Sequence, residues 1–134
     1  MIVIDASALT NALTDDGPVG DRCRALLAED PHWVAPEHLV VEVVSAVQGR
    51  WLGGQLDDRR ALDALVALSE AALDLVATAP LLPRMWELRA NLTGYDAAYL
   101  AVAEAVNAAL VTCDAHLARA PGLACEVRLS LPPA

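Results

Sequence analysis

Three apolar residues near the start of the chain, Ile2-Val3-Ile4, stop at a carboxylate, Asp5, after which Ala8, Leu9, Ala12 and Leu13 recur at helical spacing. The first run predicts a strand buried on both faces, as in a parallel sheet covered by helices on either side. Such sheets collect ligands at the carboxyl ends of their strands, and Asp5 stands at one such end.

The same alternation continues along the chain. The spacing predicts a helix over 6–13, a turn through Asp15, Asp16, Gly17 and Pro18, a second helix over 19–29 and a short strand over 32–35. A third helix is expected from Pro36 to the pair Gly53-Gly54, with Leu39, Val40, Val43, Val44 and Val47 on one arc. Glu42 falls just outside that arc, beside His38 and Ser45. A fourth helix starts at Leu56, with Asp57 and Asp58 at its positive end and Leu62, Leu65, Val66 and Leu73 as its apolar stripe, so the two helices can pair as a hairpin. A strand follows over 73–77, then a helix over 80–92 that tolerates Pro83 in its first turn. Thr93-Gly94 breaks it, and Thr93 and Asp96 have capping-box spacing ahead of a strongly periodic helix over 95–109. A strand over 110–113, a short helix and a strand within 124–129 complete the pattern. Strands alternating with helices predict one α/β domain, residues 1–130, around a mostly parallel sheet of about five short strands, with 131–134 a frayed tail.

Composition narrows the function. A chain of 134 residues buries roughly two thirds of its unfolded surface and needs no staple. Its three cysteines, Cys23, Cys113 and Cys125, form no C-x-x-C pair and read as small core residues of a reducing compartment, so a cytoplasmic location is expected. Acids interrupt every long apolar run, which argues against a membrane span, and the start lacks the basic flank of a signal peptide. Eighteen acids against nine bases give a formal charge of −9, which disfavours general nucleic-acid or membrane binding and suits a basic partner. All nine bases are arginine. The absence of lysine excludes Walker-type nucleotide binding and disfavours a receiver-like signalling domain.

Three segments repeat one motif: Asp5-Ala-Ser-Ala-Leu9, Asp96-Ala-Ala-Tyr-Leu100 and Asp114-Ala-His-Leu117 each place an aspartate at the mouth of a helix. Capping explains each aspartate singly, since an acid there is stabilising by roughly 0.3–1 kcal/mol. Capping gives no reason, however, for Glu42 to border a crevice lined by the others. If the strands starting at Ile2 and Leu110 are neighbours, Asp5 and Asp114 lie side by side at the carboxyl edge. Four carboxylates alone would repel a phosphodiester, whereas hard cations such as Mg²⁺ or Mn²⁺ take carboxylate oxygens and reverse the sign of the site.

Together, Ile2-Val-Ile-Asp5-Ala-Ser7, the helix from Pro36 through Glu42 to Ala46, the segment from Leu92 through Tyr95-Asp96-Ala-Ala-Tyr99 to Glu104, and Leu110-Val-Thr112-Cys-Asp114 resemble the PIN domain, most of all its VapC-type ribonuclease toxins. The resemblance spans the chain in order. It implies a three-layer α/β/α fold, a Mg²⁺ or Mn²⁺ site at the carboxyl edge and hydrolysis of RNA, and the acidic charge makes a specific, structured RNA the expected substrate rather than RNA in bulk. It puts catalytic acids at Asp5, Glu42, Asp96 and Asp114, of which Asp5, Asp96 and Asp114 hold metal and Glu42 orients or deprotonates water. Thr112 and Ser7 match supporting polar positions beside the acids. For Thr112 the alternative is a residue chosen for strand propensity, and for Ser7 a helix-start serine bonding the backbone. Ser45 departs from the pattern, since many members carry Asn there. The implied partners are a basic antitoxin of VapB type and a second copy of the chain.

Other residues offer less. His32, His38 and His116 have no zinc spacing, and Trp33, Trp51 and Trp86 read as core or interface anchors. Arg50, Arg84, Arg89 and Arg119 are candidates for phosphate contact, or ordinary ion-pair partners. Two further functions stay open on the sequence: a catalytically weak PIN-like binding module, and a structure-specific DNA nuclease.

Overall fold

A computed structural model describes residues 1–130; the tail expected to fray, 131–134, lies outside the described residues. Five strands form one sheet: β1 (Ile2–Ile4), β2 (Trp33–Pro36), β3 (Leu73–Val76), β4 (Ala109–Thr112) and β5 (Val127–Leu129). All neighbours are parallel, in the order β3-β2-β1-β4-β5. β1 is therefore central, and its three residues are buried, as a run apolar on both faces requires.

Helices cover the sheet. α1 (Ala6–Thr14) packs with α2 (Pro18–Leu27), α3 (Leu39–Leu52) and α4 (Asp58–Glu70), while α6 (Gly94–Val106) lies against β1, β2 and β4 and carries α5 (Leu82–Glu87) on its outer side. Every residue of α6 from Ala97 to Ala103 is buried, and its alanines let the helix come close to the sheet. It ends at Asn107, whose φ of 53° is the left-handed turn that closes a helix and releases the chain into β4. α7 (Ala115–Ala118) is one short turn after β4. The three-layer arrangement of the sequence reading is present.

Several element boundaries differ. The third helix begins at Leu39 rather than Pro36, because Pro36 still pairs with Val76 in β2 and the Glu37 N–H bonds the Val76 carbonyl at 2.9 Å. β1 pairs with β2 only at Trp33 and Val34, so the missing proline donor costs no ladder bond on that side. The fourth helix starts at Asp58, capped by Asp57, not at Leu56. The helix expected over 80–92 is a 3₁₀ turn (Ala79–Leu81) followed by the short α5. The hairpin of α3 and α4 forms, with the α3 arc turned inward at Leu39, Val43 and Val47 as expected and α4 rotated from its expected stripe. Val44, Leu62 and Val66 are exposed, whereas Ala64 and Leu68 supply the buried contacts of α4. With Val47, Gln48, Trp51, Asp58, Ala61 and Leu65, Val44 and Leu62 line an outward groove of about 430 Å³. No helix among the described residues is long and apolar enough to cross a membrane.

Candidate active site

The β1–β4 register sets Ile4 opposite Val111, so the chain leaves both strands at the same level. Asp5 comes next on one strand and Thr112 on the other, and the Asp5 N–H bonds the Val111 carbonyl at 3.1 Å. Asp5 is only 4% exposed and both of its carboxylate oxygens are occupied. Oδ1 accepts from Ser7 Oγ at 2.7 Å and from the Ala8 N–H at 2.9 Å, and Oδ2 accepts from the Thr112 hydroxyl. A carboxylate has about four lone-pair sites, so about one remains.

Thr112 and Ser7 tie the two strand ends together. The Thr112 hydroxyl donates to Asp5 and accepts the Asp114 N–H at 3.0 Å, so one fully buried group orients both acids. Ser7 Oγ donates to Asp5 and accepts the Cys113 N–H at 2.9 Å. Both hydroxyls bond the Asp5 carboxylate, and Ser7 also bonds backbone, on the β4 side. Asp114 also caps α7, its Oδ1 accepting from the His116 N–H at 2.8 Å.

The remaining two acids come from helices. At the start of α6 the cap is Thr93, whose Oγ accepts the Asp96 N–H at 3.2 Å. Among the described residues no backbone N–H bonds the Asp96 carboxylate. Glu42, on the first turn of α3, accepts from the Tyr99 hydroxyl at 2.8 Å through Oε1. His38 Nε2 lies 2.8 Å from the same oxygen, close enough for an ion pair but without hydrogen-bond alignment. Its ring centroid is 5.0 Å from that of Tyr99 and 5.8 Å from that of Tyr95.

Electrostatics join the four acids. Burial pushes the Asp5 carboxyl up to about 6, against the lowering effect of its three hydrogen bonds, and the charge on Asp96 adds to the rise. Asp96 is itself raised, first by desolvation and then by the charges of Asp114 and Glu42. Asp96 therefore links the group, feeling Asp114 and Glu42 and acting on Asp5. The arginine ion pairs run elsewhere, to Asp16, Asp21, Glu29, Asp63, Glu87, Glu104 and Glu126, and among the described residues no guanidinium pairs with any of the four acids.

This donor set suits a hard cation: carboxylates only, mutually repelling, with no competing base apart from the neighbouring histidines. It is not a closed cage. Among the described residues no three of His, Cys, Asp or Glu stand close enough to form a ready-made chelate. Ser45 is exposed and lines a shallow hollow of about 300 Å³ with Val41, Glu42 and Tyr95.

Tyr99 is the residue whose part the sequence reading left unassigned. Its signal was present, since a tyrosine in the stretch from Ala97 to Ala103, otherwise alanine, valine and leucine, must find a partner for its hydroxyl. Of the other candidates, Trp33 is half-buried, whereas Trp51 and Trp86 are exposed, Trp86 beneath the Arg89 guanidinium at 4.7 Å. Arg84 is committed to Glu104 and Glu87, and Arg50 to Thr14 and Asn11. His32 pairs with Asp74, and His116 Nε2 is 3.2 Å from the Asn91 carbonyl.

Fold and site together define an α/β protein with an acidic cleft at the carboxyl edge of an all-parallel sheet. The family model described as "PIN domain" matches residues 2–123. Ribonuclease VapC9 of Mycobacterium tuberculosis is 39% identical over 127 residues, covering 95% of this chain and 96% of that protein. Ribonuclease VapC1 of the same species is 38% identical over 128 residues, with 95% and 96% covered. Among solved structures, M. tuberculosis VapC20, described as a sarcin-ricin loop cleaving toxin, superposes with a TM-score of 0.69 at 18% identity, covering 99% of this chain and all of that one. The chain belongs to the PIN-domain family, among its VapC-type ribonucleases.

Proposed function

We propose that the chain is a Mg²⁺- or Mn²⁺-dependent endoribonuclease and the toxin of a toxin–antitoxin pair. The observation that supports this reading is the coupling through Asp96: the charges of Asp114 and Glu42 bear on it and its own charge bears on Asp5, with no arginine paired to these acids among the described residues. Helix capping accounts for Asp5 and Asp114 but not for that coupling.

In this reading Asp5, Asp96 and Asp114 hold the cation. Bound Mg²⁺ or Mn²⁺ supplies positive charge for the phosphoryl oxygens and makes a water acidic enough to react near neutral pH. Thr112 and Ser7 keep Asp5 fixed, which leaves one edge of its carboxylate toward the cleft. Glu42 takes the proton of the attacking water, and the Tyr99 hydroxyl holds its Oε1 so that the other oxygen is presented. Water then forms the new P–O bond as the bond to the 3′ oxygen breaks, leaving a 5′-phosphate and a 3′-hydroxyl. Charge and surface suit a basic antitoxin of VapB type, with an amphipathic helix seated in the apolar groove between α3 and α4; self-association is the alternative use of that face.

The test is cleavage of structured RNA, single-stranded RNA and single-stranded DNA side by side, with Mn²⁺ and with EDTA. RNA fragments bearing 5′-phosphate, formed only with metal and lost in Asp96→Asn, are expected. Cleavage that persists in EDTA would sink the metal mechanism, and cleavage of DNA alone would replace it with the DNA-nuclease reading.

A further inference from the structure

Two sulfurs, Cys23 Sγ on α2 and Cys113 Sγ just after β4, approach to 2.9 Å although 90 positions separate them in sequence. That is inside van der Waals contact for two sulfurs, and about 1 Å longer than a disulfide bond. Cys23 is fully buried and Cys113 is partly exposed. The third cysteine, Cys125, lies apart from them, near Glu104 and Arg84.

We propose that Cys23 and Cys113 are a modification site, a dithiol that a peroxide closes to an intramolecular disulfide. Cys113, the member solvent can reach, attacks one peroxide oxygen. The S–O bond forms, the O–O bond breaks, and the other oxygen leaves as water with the thiol proton. The buried Cys23 sulfur then attacks the sulfenic sulfur, and the S–S bond forms as that oxygen departs as a second water. Two thiols and one hydrogen peroxide give one disulfide and two waters, two electrons passing from sulfur to oxygen.

Position gives the bond a consequence. Cys113 stands between Thr112 and Asp114, and its N–H holds Ser7 Oγ, which in turn holds Asp5. Closing the disulfide fastens α2 to the segment that carries one acid and orients another. It also closes a long loop of the unfolded chain, which raises the melting temperature of the oxidised form. None of this rests on the nuclease reading.

The experiment treats the purified full chain with hydrogen peroxide, then alkylates it and reads intact mass, peptide map and melting temperature. A loss of about 2 Da is expected, from two thiol hydrogens, with one alkylated thiol at Cys125 and a linked Cys23–Cys113 peptide. Melting should rise by several degrees and return when dithiothreitol is added. Cys23→Ser should instead accumulate a dimedone-trapped sulfenic acid at Cys113. Should that variant fail to fold, Cys113→Ser serves, with Cys23 expected to stay reduced under the same peroxide. Three alkylatable thiols after treatment, a link to Cys125, or oxidation of Cys113 to sulfinic acid without a link would each overturn the proposal.

Discussion

Asp5 and Asp96 stand at the N-terminal ends of α1 and α6, and the two ends are built differently. At α1 the acid is itself the cap: the Ala8 N–H, the Ser7 hydroxyl and the Thr112 hydroxyl all bond its carboxylate. At α6 Thr93 is the cap, and Asp96 is left half-buried among other negative charges. Burial raises both acids; the first is held by three neutral donors, whereas the second also bears the charges of Asp114 and Glu42. A helix needs only one side-chain cap, so an uncapped acid placed where it is repelled points to a use other than folding.

The widest test of that contrast is cleavage. Asp96→Asn and Asp5→Asn should both lower the rate by orders of magnitude with the fold intact by circular dichroism. Both should also raise the metal-free melting temperature near neutral pH, Asp5→Asn by removing a buried charge and Asp96→Asn by also removing repulsion from Asp114 and Glu42. A lower metal-free melting temperature in Asp96→Asn would show that the acid serves the helix after all.

Next in size is pH. The folded Asp5 carboxyl lies at about 6 against an ordinary value of 3.8. The folded chain therefore binds this proton more tightly than the unfolded chain, and the stabilisation it brings is full below 3.8 and lost as pH rises through about 6. In EDTA, wild type should fall behind Asp5→Asn across that window by about 3 kcal/mol. Glu104, held low by Arg84, titrates in the opposite sense but does so in both proteins and cancels. Parallel denaturant melts at pH 4 and pH 7 check the difference; an unchanged gap would mean that Asp5 is not strained.

Smaller again is Tyr99→Phe. Hydrogen bonds to charged groups contribute about 1.5–3 kcal/mol, so loss of the hydroxyl from Glu42 should slow cleavage roughly 10- to 100-fold. Single-turnover rates should carry the loss, with RNA affinity little changed. Least is Ser45→Ala, which touches an exposed hydroxyl and should alter cleavage by less than about 0.5 kcal/mol equivalent. A large effect there would show that the serine does the work of the family's asparagine.

The same contrast explains what the sequence made visible. β1 and β4 were readable because strands buried on both faces are continuous apolar runs; their adjacency was only a condition on the sequence, and the β1–β4 register meets it, bringing Asp5 and Asp114 to one edge. The inward face of α3 was readable at Leu39, Val43 and Val47, but that of α4 was not. That helix carries more apolar residues than the core accepts, so the stripe through Leu62 and Val66 looked more core-like than the one through Ala64 and Leu68 that is buried. Tyr99 and Glu42 are 57 positions apart, and Cys23 and Cys113 are 90 apart; no local period links either pair. Contacts of that kind are set by how α6 and α2 lie on the sheet, which tertiary packing alone decides.

The placement of β1 in the middle of the sheet has a consequence in time. The strand made first must wait for β4 before it has a neighbour on that side, and Asp5 waits for Thr112 across 107 positions of chain. At roughly 5–20 residues per second, that delay is about 5–20 seconds of synthesis. Until then Ile2, Val3 and Ile4 form an apolar edge with nothing alongside, and the hydroxyl that orients Asp5 does not exist. A ribosome that stalls before Ala109 therefore holds a chain that cannot assemble its acidic cleft. For a VapC-type ribonuclease, the order of the strands withholds the cleft until β4 has been made.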